Sequence, residues 1–535
     1  MNRRPAVLLV TLVALAACRT DRQGLTDAQG APISNLVQQE PLFTIILSPA
    51  LTSPQAGTLS RIRARRSSAE VYVGLLRATP RVVLQRGTAV LFQVSPTRQF
   101  VAIGEQAVQH ETGTLSWAGS LQNESGWVQL VLTDKGVTGT LRTASSLYRF
   151  EPIGGGFHAL IQVGTLPPEH PPETPSGAEL PPSEPPAASE MTGWTNLVTE
   201  SVPTTIDVLI VYTPAVALAV TDVAGLVQLA VDETNTSYTN SGINAALRSV
   251  YSSQVTYTEA GRTYQQHVAA LQSTSDGIMD TVHTWRNDYK ADVVVLLVDD
   301  PDFCGLASQI LATQTTAFAA VAWDCATGNY SFGHEIGHLQ GARHDRFVDN
   351  NSSPYAYGHG YVDPVNYNWR TIMSYVDSCV SHAGHGCLRV QYWSNPNVTY
   401  LPTGQAMGTT TYEHDARVLD QTKITVANFR SSLVATWTGP QYYVGHSDTC
   451  PWTATITGGT PPYTYNWYAS WTTPSTGFYF VSGQGTANAS SYGYYYETYP
   501  DQTQITVSLY GSDAAGENYS LQRSITMFRY PFGCY

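Results

Sequence analysis

The chain has 535 residues, 28 Lys and Arg against 41 Asp and Glu, and a formal charge of -13. That length is too great for one hydrophobic core and predicts about three folded units, while the negative balance excludes the basic face that nucleic-acid binding requires. Only 13% of residues are charged and Tyr reaches 32, which fits an exported, β-rich protein with polar, uncharged surfaces.

The first segment predicts export. Arg3 and Arg4 precede an apolar run from Ala6 to Ala17, too short to remain as a spanning helix. The run closes on Leu15-Ala16-Ala17-Cys18, which fits a bacterial lipoprotein box with Cys18 as the lipidated, mature N-terminus. Ordinary signal cleavage near Ala16 is the other reading. No later stretch is apolar enough to cross a membrane. Setting Cys18 aside leaves six of the seven Cys, and in an exported chain these predict disulfides. Sequence proximity suggests Cys304 with Cys325, Cys379 with Cys387 and Cys450 with Cys534, although six Cys admit about 15 pairings.

Residues 19–39 are polar and predict a tether. Over 40–165 short apolar runs alternate with turns, at Val71–Leu75, Ala89–Val94, Trp127–Leu132, Ser146–Phe150 and Phe157–Ile161, so a β-rich region is expected. It carries about +4 while the chain beyond 166 carries about -19, which favours attraction between them. Arg61, Arg63, Arg65 and Arg66 are its densest basic run, for which a solvated loop is the plainer reading. Residues 166–203 form a Pro-rich hinge, with Pro167-Pro168, Pro171-Pro172, Pro181-Pro182 and Pro185-Pro186, extended and open to proteolysis.

From 204 to 436 strands and helices alternate, which implies a mixed, mostly parallel sheet. The pattern predicts strands at Ile206–Tyr212, Ala246–Tyr257, Asp292–Val298 and Ala317–Trp323. It predicts one long helix over Leu218–Tyr238 and a second over Tyr264–Lys290, broken near Ser275–Gly277.

The strongest signal is His334-Glu335-Ile-Gly-His338-Leu-Gln-Gly341-Ala-Arg-His344-Asp345. On a helix His334 and His338 sit one turn apart and point the same way. Gly341 permits a positive φ and a sharp helix end, and the turn returns His344 as a third nitrogen donor. Three nitrogens and an open position make a catalytic type of zinc site, with Glu335 placed to handle a water's proton. Chance assembly of all these residues is on the order of one in 10^5.

This pattern resembles the metzincin metallopeptidases over roughly 200–450, in their reprolysin-like branch and the bacterial peptidyl-Asp metalloendopeptidase type, which Asp345 and Tyr392-Trp-Ser-Asn-Pro-Asn397 also suggest. The resemblance implies a methionine turn beneath the zinc, supplied by Arg370-Thr-Ile-Met373-Ser-Tyr375. It implies that the strand before the zinc helix, Ala317–Trp323, is an antiparallel edge where substrate adds as a strand. Tyr375 then supports the transition state or simply packs. Cleavage on the amino side of acidic residues is implied too, with Arg370 and Arg389 nearby to supply cations. The place of 40–165 ahead of this unit suggests a pro-region that holds the enzyme silent. Asp349, Asn350 and Asn351 offer oxygen ligands for a structural calcium, or form a plain polar loop.

Beyond 437 the alternation around Gly458–Tyr468 and Ile505–Gly516 predicts opposite strands of an Ig-like or PKD-type β-sandwich with Trp467 in its core. Tyr494, Tyr495 and Tyr496 are candidate exposed contacts, with a spacer role as the alternative. The expected molecule is a monomeric, exported zinc endopeptidase acting on proteins and peptides, anchored in the bacterial envelope through Cys18 or released after processing. The rival is a surface-anchored adhesion protein with an inactive peptidase scaffold. Cys18→Ser is expected to abolish fatty-acid labelling of the expressed chain; unchanged labelling removes the lipoprotein reading.

Overall fold

The structure, a computed structural model, describes residues 40–535 apart from 111–112, 170–202, 431–432, 445–448, 459–461, 472–475, 496–501, 514–517, 529–532 and 535. The export signal, Cys18, the tether, most of the Pro-rich hinge and Tyr496 lie outside the described residues, as does the side chain of Tyr495.

The first region is a nine-stranded antiparallel sheet with two helices. In chain order its elements are β1 (Phe43–Ile45), α1 (Ser53–Ala64), β2 (Ser68–Leu76), α2 (Pro80–Val83), β3 (Ala89–Ser95), β4 (Arg98–Gln109), β5 (Leu115–Leu121), β6 (Gly126–Leu132), β7 (Val137–Thr143), β8 (Leu147–Gly154) and β9 (Phe157–Val163). The order β1-β2-β9-β8-β7-β6-β5-β4-β3 rolls on itself, because Leu42 N bonds Leu91 O just ahead of β1 and so joins the two edges. Five strands lie where the apolar runs predict them. The strands β1, β4, β5 and β7 and the helices α1 and α2 do not follow from those runs; β1 is only three residues long, and polar or glycine residues break the apolar runs of the other strands. Arg61 and Arg63 sit on α1 rather than in a loop, and Arg65 caps its end.

The next sheet has the order β11-β10-β12-β14-β13, formed by β10 (Thr204–Tyr212), β11 (Ala245–Gln254), β12 (Val293–Val298), β13 (Gly305–Ala307) and β14 (Phe318–Ala322). β10, β11, β12 and β14 are parallel, and β13 runs antiparallel to β14 at the edge. Ala317–Trp323 is therefore not the edge. The antiparallel edge falls one strand earlier in sequence, at β13, and every residue of β14 is buried. Its small residues serve close sheet packing rather than access for a peptide.

Helices cover both faces: α3 (Pro214–Ala219), α4 (Val223–Asn240), α5 (Tyr264–Gln272), α6 (Thr281–Asp288), the short α7 (Trp323–Ala326) and α8 (Ser331–Gln340). The second predicted helix breaks as expected. The first also breaks, at Val220–Asp222, because Asp222 caps α4 through Gly225 N at 3.0 Å instead of continuing α3.

α4 is wedged between the rolled sheet and the catalytic core. Thr133 and Thr138 both donate to Asp222 Oδ2 at 2.9 Å, and Thr140 donates to Glu233 Oε1 at 2.6 Å. The basic side chains of the rolled sheet mostly reach backbone carbonyls across the junction: Lys135 to Thr221, Arg142 to Gly328, Arg65 to Ala219 and Arg149 to Asp324. The guanidiniums of Arg65 and Arg149 also lie over the Trp323 ring. The opposite net charges thus act mainly through charge-assisted bonds to neutral carbonyls, with few direct ion pairs.

The C-terminal residues form a four-stranded and a five-stranded sheet sharing one apolar cluster that includes Trp452, Trp467, Ile505 and Val507. Trp467 is buried as expected. Its strand, Asn466–Trp471, pairs directly with Gln502–Ser512, so the two predicted segments are adjacent antiparallel strands of one sheet. Val434–Thr438 already belongs to this region, pairing with Thr453–Thr457. Tyr494 is half-buried, and the outward rings are instead Tyr468, Tyr479 and Tyr510. All three expected disulfides are formed.

Asp222→Ala removes one helix cap and two hydroxyl partners. It is expected to destabilise the intact chain by about 1–2 kcal/mol, read as a lowered denaturation midpoint; an unchanged midpoint counts against this role for the cap.

Candidate metal centre

α8 starts at Tyr330, whose φ of 61° is unusual for a bulky residue, and ends at Gly341, whose φ of 109° suits glycine. Tyr330 is held there by burial and by the Trp127 indole N–H, which donates to its hydroxyl at 2.8 Å. All ten residues of α8 are buried. The turn at Gly341 carries the chain round so that His344 faces His334 and His338. One nitrogen of each imidazole lies within 4.8 Å of the others, the only such metal-binding group among the described residues. Nε2 of His344 is 3.3 Å from that of His334 and 2.9 Å from that of His338.

The other ring nitrogens of His334 and His338 are tied to the backbone. His334 Nδ1 donates to Ile372 O and His338 Nδ1 to Ala342 O, both at 2.9 Å. Those bonds leave each Nε2 with its lone pair, the tautomer a metal requires. Burial first, then the neighbouring imidazoles and Arg389, holds His334 well below the usual imidazole range, so it is a neutral donor at physiological pH.

Glu335 is wholly buried, and neither carboxylate oxygen completes a hydrogen bond. Burial pushes its carboxyl up to about 8, with the Ala307 amide and the Arg389 guanidinium opposing that. An uncompensated carboxylate inside a protein is costly unless a cation or a reacting proton belongs beside it. Room for it comes from Gly305, where a Cβ would fall 2.4 Å from Glu335 Oε1. Three imidazoles and an unpaired carboxyl fit zinc.

Met373 lies beneath α8, fully buried. A Cβ on Gly337 would meet Met373 Sδ at 3.1 Å and the Trp393 ring at 2.6 Å, so glycine sets the close approach of helix and turn. The Tyr392–Asn397 run clamps this floor: Trp393 Nε1 donates to Ser237 Oγ, Ser394 Oγ to His359 O, and Asn395 Nδ2 to Ser241 O. Tyr375 turns its hydroxyl to 3.0 Å from His344 Nε2, and its N–H donates to Asp345 Oδ2 at 2.8 Å. Asp345 thus ties the methionine turn to the third donor. His359 Nδ1 bonds His344 O at 2.8 Å and steadies the same turn. Sequence reasoning gave neither residue a role; the spacing of a motif does not reveal partners of its backbone.

The calcium reading fails. Asp349 is buried against Arg343, with Nε to Oδ2 at 2.8 Å and Nη2 to Oδ1 at 3.2 Å, and Oδ1 also accepts from Asn351 N. A cation would have to displace a guanidinium already bound by both oxygens.

Arg370 and Arg389 lie side by side on β15 (Trp369–Arg370) and β16 (Leu388–Arg389), paired in parallel. Their side chains are only 6% and 2% exposed. Burial draws Arg389 down to about 10, and it remains charged at neutral pH.

A zinc metallopeptidase is what this helix, third imidazole and underlying methionine define together. The comparisons agree: residues 202–384 match the model of Metallo-peptidase family M12. Peptidyl-Asp metalloendopeptidase of Xanthomonas campestris pv. campestris is 44% identical over 304 residues, spanning 56% of this chain and 69% of that one. Its namesake from Stenotrophomonas maltophilia (strain R551-3) is 38% identical over 414 residues, spanning 72% and 96%. The same enzyme of strain K279a is 37% identical over the same length. The chain belongs to the peptidyl-Asp metalloendopeptidase family and is a zinc metalloendopeptidase that acts on proteins or peptides. The adhesion-scaffold alternative gains no support from these relatives.

Gly337→Ala is expected to overpack the floor and destabilise the chain by about 1–3 kcal/mol, and His334→Ala, His338→Ala or His344→Ala to lower zinc content at fixed free zinc. Full zinc occupancy in all three His variants would reject the triad.

Proposed function

We propose that His334, His338 and His344 hold the zinc and that Glu335 is the general base and acid of peptide hydrolysis. When bound, the zinc supplies a Lewis acid that acidifies water and polarises a carbonyl. Glu335 accepts the proton of the attacking water and delivers it to the departing amine. Its raised carboxyl value and its lack of a fixed partner suit a group that must both take and give a proton. The Tyr375 hydroxyl, beside His344, donates to the oxyanion that develops on the former carbonyl oxygen.

Substrate backbone lies along β13. The Cys304 carbonyl accepts from Ala322 N and the Ser308 N–H donates to Phe318 O on the β14 side, so by alternation Gly305 and Ala307 turn their backbone groups away from β14. Arg370 and Arg389 receive an acidic side chain on the amine side of the scissile bond, the preference suggested by the relatives' name. The observation that carries this is two adjacent, buried guanidiniums, of which Arg389 lies within electrostatic reach of Glu335. Buried positive charge of that density calls for a carboxylate.

Around this centre we assign 1–18 to a lipoprotein signal, 19–39 to a tether, 40–165 to an inhibitory pro-region, 166–203 to the linker cut on maturation, the span from 204 up to the strand Val434–Thr438 to the metzincin-like unit, and that strand onward to 535 to an Ig/PKD-like β-sandwich acting as a spacer. The enzyme is placed as a monomer in the bacterial envelope, with processed forms released. Glu335→Gln is expected to retain zinc and lose about 10^2–10^4-fold in turnover, measured on a chromogenic peptide. Near-normal turnover rejects Glu335, and a peptide library cut without acidic preference rejects the arginine subsite.

A further inference from the structure

We propose that Glu169, in the linker behind the rolled sheet, occupies the acidic-side-chain subsite and keeps the uncut chain silent. The proposal rests on reading Arg370 and Arg389 as that subsite.

The linker enters along the substrate edge. Leu166 packs against the Cys304–Cys325 disulfide, and Pro168 O accepts a hydrogen bond from Cys304 N at 2.7 Å, one residue ahead of β13. The next residue drops its carboxylate between the two guanidiniums. Glu169 Oε1 lies 2.5 Å from Arg370 Nη2, and Oε2 lies 2.8 Å from Arg389 Nη2 and 3.3 Å from Arg370 Nη1. The Glu169 side chain is 16% exposed. Three charge-assisted bonds to a surface carboxylate would be unremarkable at the rim of a protein. Here they close over two buried cations beside the catalytic groups, and they come from the one segment whose composition invites proteolysis.

The same arginines face inward to fixed partners. Arg370 Nη1 and Arg389 Nη2 donate to Ser374 O, between Met373 and Tyr375, and Arg389 Nη1 donates to Asn329 O, just ahead of α8. Their positions are therefore set by the catalytic unit itself, and Glu169 is the separable part. A substrate with an acidic side chain must displace it. Once the linker is cut, the local concentration of this internal competitor falls and the subsite opens.

The test uses the full chain with its linker intact by mass and its zinc content verified. Glu169→Gln is expected to raise hydrolysis of an acidic fluorogenic peptide at least tenfold over the uncut wild type. A synthetic peptide of residues 164–172 should inhibit the wild-type chain cut within 170–202, competitively with substrate, and its E169Q version should bind at least tenfold more weakly. A Glu169→Gln chain that folds, holds zinc and stays as silent as wild type overturns the proposal, as does equal inhibition by the two peptides. Cleavage preference measured on the same cut chain separates the two ideas. A retained acidic preference with equal inhibition removes the latch alone, whereas a lost preference removes the subsite beneath it.

Discussion

Three imidazole nitrogens converge beside a fully buried helix, and that convergence is the constraint around which the catalytic unit is built. Imidazole nitrogens at 2.9–3.3 Å gain little from one another, so their placement has to be enforced by the surrounding chain. Gly341 supplies the reversal, Asp345 and His359 hold the returning strand, and backbone carbonyls of Ile372 and Ala342 orient two of the rings. Beneath them Gly337 lets Met373 and Trp393 come close enough to leave no slack. Preorganisation of this kind is what a catalytic metal requires: the donors are in place before the ion arrives.

The rolled sheet is part of that enforcement. Trp127 reaches the hydroxyl of Tyr330, the residue whose positive φ starts the zinc helix, and Arg142 bonds Gly328 O just before it. The face of α4 that carries Asp222, Asp232 and Glu233 meets hydroxyls of Thr133, Thr138, Ser116 and Thr140 rather than water. A polar face matched this closely can be covered during folding and still be wetted later, since carboxylates and carbonyls are well solvated once exposed. That chemistry suits a region proposed to hold the enzyme silent and then depart.

The centre itself was legible because its information is local. Helical spacing fixes His334, Glu335 and His338, and a glycine marks the turn to His344. Two disulfides join cysteines 21 and 8 residues apart, and the third, 84 residues apart, takes the last two cysteines of the chain. Where contacts are distant the sequence was silent. The split between α3 and α4 depends on Asp222, whose cap is reinforced by threonines some 85 residues upstream. The edge strand was misplaced by one because β13 is three residues long and has no alternation to detect, whereas the longer apolar run of β14 attracts the assignment. Glu169 had no signal at all. One acid in a proline-rich run looks like solvated linker until the fold brings Arg370 and Arg389, 201 and 220 residues away, against it.

The buried arginine pair sits in a molecule whose remaining charge has the opposite effect. Beyond residue 166 the chain carries about -19, so its far field repels the very side chains that the pair is proposed to select. Capture must then depend on contact made within a few ångströms, after diffusion has already worked uphill. Mobile counterions shorten the range of that repulsion to about 10 Å at 0.1 M while barely touching a desolvated guanidinium. Encounter with acidic peptides should therefore quicken as ionic strength rises, the reverse of an electrostatically steered enzyme.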